Sequence, residues 1–123
     1  MFLIDKDTML LENLVALKLF RIYGHDMDNE RVFFYNANYE VDFYIPENEL
    51  AIQVSYSLLD EETRKREVEA LSKLPGHLPC SRRLILTYDE EKSITDKYGT
   101  IEVIPAWKWS IDMPQTMMSH RTF

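Results

Sequence analysis

Two neighbouring segments of this chain carry oxygen-bearing side chains at a spacing that could bring them together. Asp42 lies in EVDFYI, and Gln53 and Ser55 lie in LAIQVSYS. Apolar and polar residues alternate in both segments, which is the period of half-buried strands, and Pro46-Glu47-Asn48-Glu49 between them is typical of a turn. Carboxylate and amide oxygens on adjacent strands can ligate a hard divalent cation. The sequence therefore predicts a polar site on a β-hairpin.

The position of the turn determines which side chains face one another. If residues 46–49 form the loop, Ile45 is opposite Leu50, and counting outward along the antiparallel ladder places Asp42 opposite Gln53. Opposed residues on one face have Cβ atoms roughly 5 Å apart. Ser55 follows on the same face two residues later. We therefore expect Asp42, Gln53 and Ser55 to form one cluster.

A second carboxylate, Glu12, is predicted to lie on the buried face of a helix. This helix runs from about Thr8 to Tyr23, is capped by Asp7 or Thr8 and ends at Gly24. At 100° per residue, the residues within about 60° of Glu12 are mostly apolar: Thr8, Val15, Ala16, Leu19 and Tyr23. A carboxylate on such a face needs hydrogen bonds, a cation or a metal. Both a hydrogen-bonded structural role and a role in the hairpin site stay open.

The second predicted helix supplies a candidate cation, Arg64. Asp60 caps this helix, which runs to about Leu74, where Pro75-Gly76 stops it. Arg64 and Glu67 lie close to its buried face and are three residues apart. They either form an ion pair with each other, or Arg64 supplies positive charge to the hairpin site.

Six segments of the chain, taken in order, resemble one family of domains. They are LLENLVALKLFR, EVDFYI, IQVSYS, TRKREVEAL, LILTYDEE and VIPAWKW, which span about Leu10 to Trp109. The family is the small C-terminal domain of unknown function carried by many bacterial and archaeal AAA-type ATPases. The hairpin is similar to the site of PD-(D/E)XK, or restriction-endonuclease-like, nucleases, where an acid on one strand precedes acid-x-Lys on the next. Asp42 with Gln53-Val54-Ser55 resembles a degenerate copy of that motif.

The resemblance implies an α/β fold with a restriction-endonuclease-like αβββαβ core, a mixed β-sheet flanked by helices. In that fold the first helix supplies a carboxylate that reaches the hairpin, and Glu12 matches this position. Two hairpin carboxylates hold Mg²⁺, and a lysine orients water and meets charge in the transition state. Here Glu12 and Asp42 remain as metal ligands, whereas Gln53 and Ser55 lack the expected charges. Arg64 would be a poor base because arginine stays protonated.

The degenerate motif predicts a domain that does not hydrolyse phosphodiesters. We expect an accessory or interaction domain that needs no cofactor. By resemblance its partner is an AAA-type ATPase domain in the same chain or in another one, and nucleic acid or a further protein is an alternative partner. The competing hypothesis is a Mg²⁺-dependent nuclease that acts on DNA or RNA with a displaced catalytic set including Arg64.

Composition and charge restrict the other function classes. The chain has 123 residues, 46% of them apolar, which suits one domain with a substantial core. Its formal net charge of −7 provides no overall positive field for nucleic acid or an anionic membrane. The single Cys80 allows no internal disulfide, no apolar run reaches roughly 18 residues, and no GxxxxGK[ST] segment occurs. We therefore expect a cytoplasmic protein with no membrane partner and no nucleotide-binding domain of its own.

The remaining segments complete the predicted sheet. Residues 31–36 form a first strand, and residues 82–87 form an apolar interior strand that pairs parallel to the strand from Leu50 through a right-handed crossover. Residues 88–99 form a polar loop and residues 100–104 the last strand. Trp107 and Trp109 are predicted to cover the core rather than to stack on a ligand. The expected domain is 1–112, with 113–123 as a loose tail, and we assign no chemistry to His25 or His120.

Overall fold

The computed structural model describes residues 5–24 and 31–111, which form helices and a six-stranded sheet. The sheet order is β1-β2-β3-β4-β6-β5; β3–β4 and β4–β6 are parallel and the other pairs antiparallel. This confirms the predicted α/β class and the mixed sheet. The elements in chain order are α1 (Lys6–Tyr23), β1 (Phe33–Asn36), β2 (Glu40–Ile45), β3 (Leu50–Val54), α2 (Glu61–Lys73), β4 (Arg82–Thr87), β5 (Lys92–Asp96), β6 (Gly99–Pro105) and a helical segment at residues 106–111.

Each face of the sheet buries its own apolar cluster. On one face Leu84 and Leu86 of β4 pack with Val15 and Leu19 of α1. On the other face Ile85 packs with Leu71 of α2 and with Leu74, which follows α2. Residues 84–86 are all 0% exposed, since successive side chains of an interior strand are covered from alternate sides. The continuous apolar run in the sequence of β4 is thereby explained.

The hairpin has the predicted register. Ile45 pairs with Leu50 and Phe43 with Ile52, and the turn between them is a 3-10 segment over Pro46–Asn48 followed by Glu49 in the left-handed conformation. β3 then pairs in parallel with β4, as the crossover through α2 requires. These strand pairings position the candidate site at the end of the hairpin opposite the turn.

The start of α1 differs from the prediction. The cap is Asp5 rather than Asp7 or Thr8, and its carboxylate accepts a hydrogen bond from the Thr8 backbone N–H at 2.7 Å. Thr8 is itself inside the helix and nearly buried, and its hydroxyl accepts a hydrogen bond from the Tyr56 N–H at 3.0 Å. The Thr8 hydroxyl, which was predicted as a cap, therefore bonds to the segment after β3 instead. The predicted end is confirmed, because the N–H of Gly24 bonds to the Phe20 carbonyl at 2.8 Å.

Two predictions for the C-terminal half are wrong. The predicted loop at residues 88–99 contains the edge strand β5, which pairs with β6 and carries mostly exposed polar residues. Trp109 is buried at 3% exposure as predicted, but Trp107 is 61% exposed and covers no core. A helical segment that starts at residue 106 separates the two rings onto different sides.

The limits of the predicted domain fall at residues that are not described. His25 and the segment 112–123, which includes the predicted tail and His120, lie outside the described residues. Within residues 5–24 and 31–111, no helix combines the length and apolarity that a membrane crossing requires.

Candidate functional site

The strand β2 carries one extra residue where the candidate site lies. Between two successive pairs with β1, the chain advances from Phe33 to Tyr35 in β1 but from Val41 to Tyr44 in β2. Val41 and Tyr44 consequently bury their side chains in the same cluster, although residues three apart in a regular strand face opposite sides. Such bulges redirect side chains and are common beside functional sites. Asp42 lies within this bulge.

Beyond the paired residues Phe43 and Ile52, hydrogen bonds to side chains rather than to backbone groups connect β2 to β3. The backbone N–H of Asp42 donates to Oε1 of Gln53 at 2.8 Å, and the backbone N–H of Val54 donates to Oδ2 of Asp42 at 2.8 Å. The two predicted site residues therefore meet, as the register requires. Each of them serves the backbone of the opposite strand.

Gln53 is held on all sides by backbone groups. The residue is 1% exposed, and its Nε2 donates to the Glu40 carbonyl at 3.0 Å and lies 3.5 Å from the Glu67 carbonyl. Together with the Asp42 N–H, these contacts join β2, β3 and α2 at one point. A buried amide with its oxygen and both donor directions occupied has little capacity left for a metal or a substrate.

Ser55 has a local structural role. It is 3% exposed, its hydroxyl donates to the Ser57 carbonyl at 2.8 Å, and its N–H donates to the Leu86 carbonyl at 3.0 Å. The hydroxyl thus stabilises the bend after β3. It lies two residues beyond Gln53, and its hydroxyl bonds toward the loop before α2 rather than to the predicted partners Asp42 and Gln53.

Four carboxylates interact electrostatically around the end of the hairpin. Burial raises the pKa of Asp42 to about 7, opposed by the hydrogen bond from the Val54 N–H and reinforced by Glu12 and Glu40. Burial also raises the pKa of Glu67 to about 8, with Asp42 as the next cause. The pKa of Glu12 is raised by burial and by repulsion from Glu40. At neutral pH this cluster therefore retains protons that separate carboxylates would release.

A cleft of about 600 Å³ opens beside these carboxylates, between β2 and α2. Glu40 and Asp42 line its strand side, and Lys65, Arg66 and Glu67 line its helix side. Arg66 approaches Glu67 to 3.8 Å, and it lowers the pKa of both Asp42 and Glu67 against the larger effect of burial. The cleft thus combines buried acids with a basic rim.

Arg64, which the sequence offered either as an ion-pair partner of Glu67 or as a displaced cation, is not among the side chains that line this cleft. It is exposed in α2, two residues from Arg66. Residues two apart on a helix are about 160° apart, so Arg64 and Arg66 project in nearly opposite directions. The ion-pair partner of Glu67 is likewise Arg66 rather than Arg64. The cation beside these acids is therefore Arg66, on the same helix as Arg64.

Sequence reasoning thus found Glu12, Asp42 and Gln53 and missed Glu40 and Glu67 as members of the cluster. A signal for Glu67 was present, since it lies near the buried face of the predicted α2 just as Glu12 lies on that of α1. Because Glu67 is three residues from Arg64, an ion pair between them already explained its position, and it was not assigned to the site. Glu40 carried no comparable signal.

The side chains present do not fit the Mg²⁺ site that the resemblance implies. Oδ2 of Asp42 is bonded to the Val54 N–H, and Oε1 of Gln53 is bonded to the Asp42 N–H. No group of three or more His, Cys, Asp or Glu side chains with metal-binding geometry is found in the described residues. Mg²⁺ prefers charged oxygen ligands in near-octahedral geometry, whereas Gln53 offers one neutral oxygen that is already hydrogen-bonded, and one of the two Asp42 oxygens is also hydrogen-bonded to backbone.

Comparisons with known proteins add one relative. No family model matches the chain, and no solved structure matches it. An uncharacterized protein of Methanocaldococcus jannaschii is 41% identical over 110 residues, which cover 83% of this chain and 24% of the archaeal protein. The chain therefore spans about a quarter of that relative.

Proposed function

We propose that this chain is a restriction-endonuclease-like domain that does not cleave nucleic acid and acts as an accessory interaction domain. The observation that carries the proposal is the use of Gln53. Its amide occupies the position of the second metal-binding carboxylate in the resemblance, and it is 1% exposed and bonded to the backbone of β2 and α2. A residue so used stabilises the hairpin rather than a reacting phosphate.

The charges at the site support the same proposal. Asp42 and Glu67 have pKa values raised to about 7 and about 8, so both carry protons for part of the time at neutral pH. A protonated carboxyl is a weak ligand for a hard cation. Arg66 is the cation next to these acids, and a guanidinium cannot take a proton from water.

The interaction role rests on the resemblance and on the length of the relative. The six segments that resemble the C-terminal domain of AAA-type ATPases favour such an ATPase as the partner, in the same chain or in another one. The archaeal relative extends far beyond the matched region, which suits a module within a larger protein. The net charge of −7 makes a protein partner more favourable than nucleic acid. In this proposal the domain is cytoplasmic and needs no cofactor.

One observation favours the alternative, a metal-dependent nuclease with a displaced catalytic set. Glu12, Glu40, Asp42 and Glu67 interact with one another at the end of the hairpin, and the last three line a cleft with Lys65 and Arg66. A divalent cation such as Mg²⁺ that entered this cluster would displace its protons. In this alternative Glu67 would replace the carboxylate that Gln53 lacks.

The experiment is a nuclease assay of the purified chain with Mg²⁺ or Mn²⁺ on supercoiled plasmid, single-stranded DNA and RNA. We expect no metal-dependent cleavage, because Gln53 and Ser55 stand where the motif has its second carboxylate and its lysine, and one electrostatic donor alone can be worth about 3–4 kcal/mol in the transition state. Asp42→Asn keeps an oxygen for the Val54 N–H and serves as the test variant. Asp89→Asn, at an exposed carboxylate, is its matched control.

Cleavage by the wild type that disappears in Asp42→Asn and persists in Asp89→Asn would refute the proposal. If the wild type does not cleave, the double variant Gln53→Glu with Ser55→Lys shows whether restoring the motif residues is enough to make the scaffold cleave. If only this variant cuts, the scaffold is a nuclease fold whose site has degenerated. If a folded double variant does not cut, the scaffold does not support hydrolysis at this site.

A further inference from the structure

The helix α1 is apolar on the face that points away from the sheet. Leu10, Leu14 and Leu17 are 58%, 63% and 56% exposed, whereas Val15 and Leu19 are buried on the opposite side. At 100° per residue the three exposed leucines lie within about 60° of one another. A surface helix normally carries polar residues on its outer face, and a helix that is apolar on both faces is usually covered on both. Within the described residues, the sheet covers only one of them.

The apolar surface continues from α1 into a groove beside the helical segment 106–111. The groove has a volume of about 390 Å³, and Leu14 and Leu17 form one wall while Tyr88 and Trp107 contribute to the other. Tyr88 is 55% exposed and Trp107 is 61% exposed. Contiguous exposed apolar side chains of this kind mark interaction surfaces, since isolated ones are common but clusters are not.

The spacing along this face is that of a helix pair. Leu10, Leu14, Leu17 and Arg21 follow one another at intervals of four, three and four residues, the a/d spacing of helices that pack side by side. Asp7 and Arg21 are both exposed and lie seven residues before and after Leu14, each about 10 Å from it along the axis at 1.5 Å per residue. Two residues of opposite charge therefore lie at equal distances on either side of Leu14.

We propose that α1 pairs with α1 of a second copy of this chain, antiparallel, about a two-fold axis at Leu14. In this arrangement Leu14 meets Leu14, and Leu17 of one copy meets the half-buried Leu11 of the other. Leu10 lies along the aliphatic part of Lys18, and Asp7 of each copy faces Arg21 of the other. A parallel pair would place like charges together at both ends, which is unfavourable. The patch is thus complementary to itself, as a two-fold interface requires.

The overall charge makes this surface the preferred place for self-association. Two copies with a formal charge of −7 each repel one another overall. The outer face of α1 combines an apolar centre with Lys18 and Arg21 near one end and Asp7 near the other. It therefore supplies both the burial and the local attraction that association of an acidic chain needs.

The test is the mass of the full chain in solution, measured by analytical ultracentrifugation across a concentration series. We expect a dimer for the wild type and a monomer for Leu14→Asp, which places two charges at the two-fold axis and should raise the dimer dissociation constant by about 100-fold or more. Leu59→Asp is the control, because Leu59 is 86% exposed and lies in the segment before α2. Leu14 is itself exposed, so its replacement should leave the fold intact, and circular dichroism checks this for each variant.

The charged ends provide a second, independent test. Asp7→Lys and Arg21→Glu should each raise the dissociation constant by about 3- to 10-fold, since each places two like-charged pairs in the dimer. The double variant should restore much of the affinity. A monomeric wild type, a dimer that survives Leu14→Asp, or a double variant weaker than both single variants would overturn the proposal.

Discussion

Replacing Gln53 with Glu tests whether this amide holds the hairpin and α2 together. The substitution keeps the shape of the side chain but removes the Nε2 donor that binds the Glu40 carbonyl at 3.0 Å and approaches the Glu67 carbonyl at 3.5 Å. It also places a carboxyl at a position that is 1% exposed, beside Asp42, whose own pKa is raised to about 7. Both changes act against folding.

The magnitude follows from these contacts. A buried carbonyl that loses its donor costs about 1–3 kcal/mol, and burying an unpaired charge costs roughly 3–5 kcal/mol, part of which the new Glu avoids by keeping its proton. We expect the free energy of unfolding to fall by about 3 kcal/mol at pH 8.5 and by about 1 kcal/mol at pH 5, where a neutral carboxyl can donate one hydrogen bond. The sign follows because the pKa of the new carboxyl is higher in the folded than in the unfolded chain, so its contribution to stability is lost as pH rises.

Urea denaturation followed by circular dichroism at both pH values measures this effect. Asn13→Asp, at an exposed amide of α1, is the matched control and should change stability little. Adding Asp42→Asn to the Gln53→Glu variant should recover part of the loss at pH 8.5, since it removes the neighbouring charge. A Gln53→Glu variant as stable as the wild type at pH 8.5, or equally destabilised at both pH values, would refute this account of Gln53.

Two further outcomes are expected from other buried charges. The stability of the wild type should decrease as pH rises from about 5 to about 9, because Asp42 and Glu67 have folded-state pKa values of about 7 and about 8 against ordinary values of 3.8 and 4.5. Asp42→Asn or Glu67→Gln should flatten this dependence in thermal denaturation, and an unchanged slope in both variants would contradict it. Asp96→Asn should destabilise the fold by about 3 kcal/mol in urea, because it leaves the guanidinium of Arg83, 3% exposed, without the carboxylate that binds it at 2.6 and 2.8 Å. A loss below about 1 kcal/mol would show that water replaces the carboxylate there.

Local patterns were sufficient for much of the fold. Alternation and turn residues predicted the hairpin and its register, with Ile45 opposite Leu50. The unbroken apolar run of β4 predicted an interior strand, and Asp60 predicted the start of α2, where its carboxylate accepts from the Thr63 N–H at 2.9 Å. These features depend on neighbours within a few residues, so the sequence carries them directly. The edge strand β5 was not predicted, because its polar and largely exposed residues resemble those of a loop.

Part of the candidate site was also determined by sequence. The helical period placed Glu12 on the buried side of α1, and the hairpin register brought Asp42 and Gln53 together. Each of these inferences needs only the geometry of one element. The polar composition of the hairpin could therefore be related to a site before any tertiary contact was known.

Only the tertiary structure decided what these residues do. The sequence contains Arg64, Arg66 and Glu67 within one turn of helix, and only the orientation of α2 against β2 selects Arg66 and Glu67 to line the cleft. The bulge in β2 and the burial of Gln53 likewise depend on contacts between segments far apart in the chain. A pKa raised by desolvation is a property of the assembled core, because a side chain loses water only when several elements close around it. The residue types at the site follow from the sequence, whereas their protonation and hydrogen bonding follow from the fold.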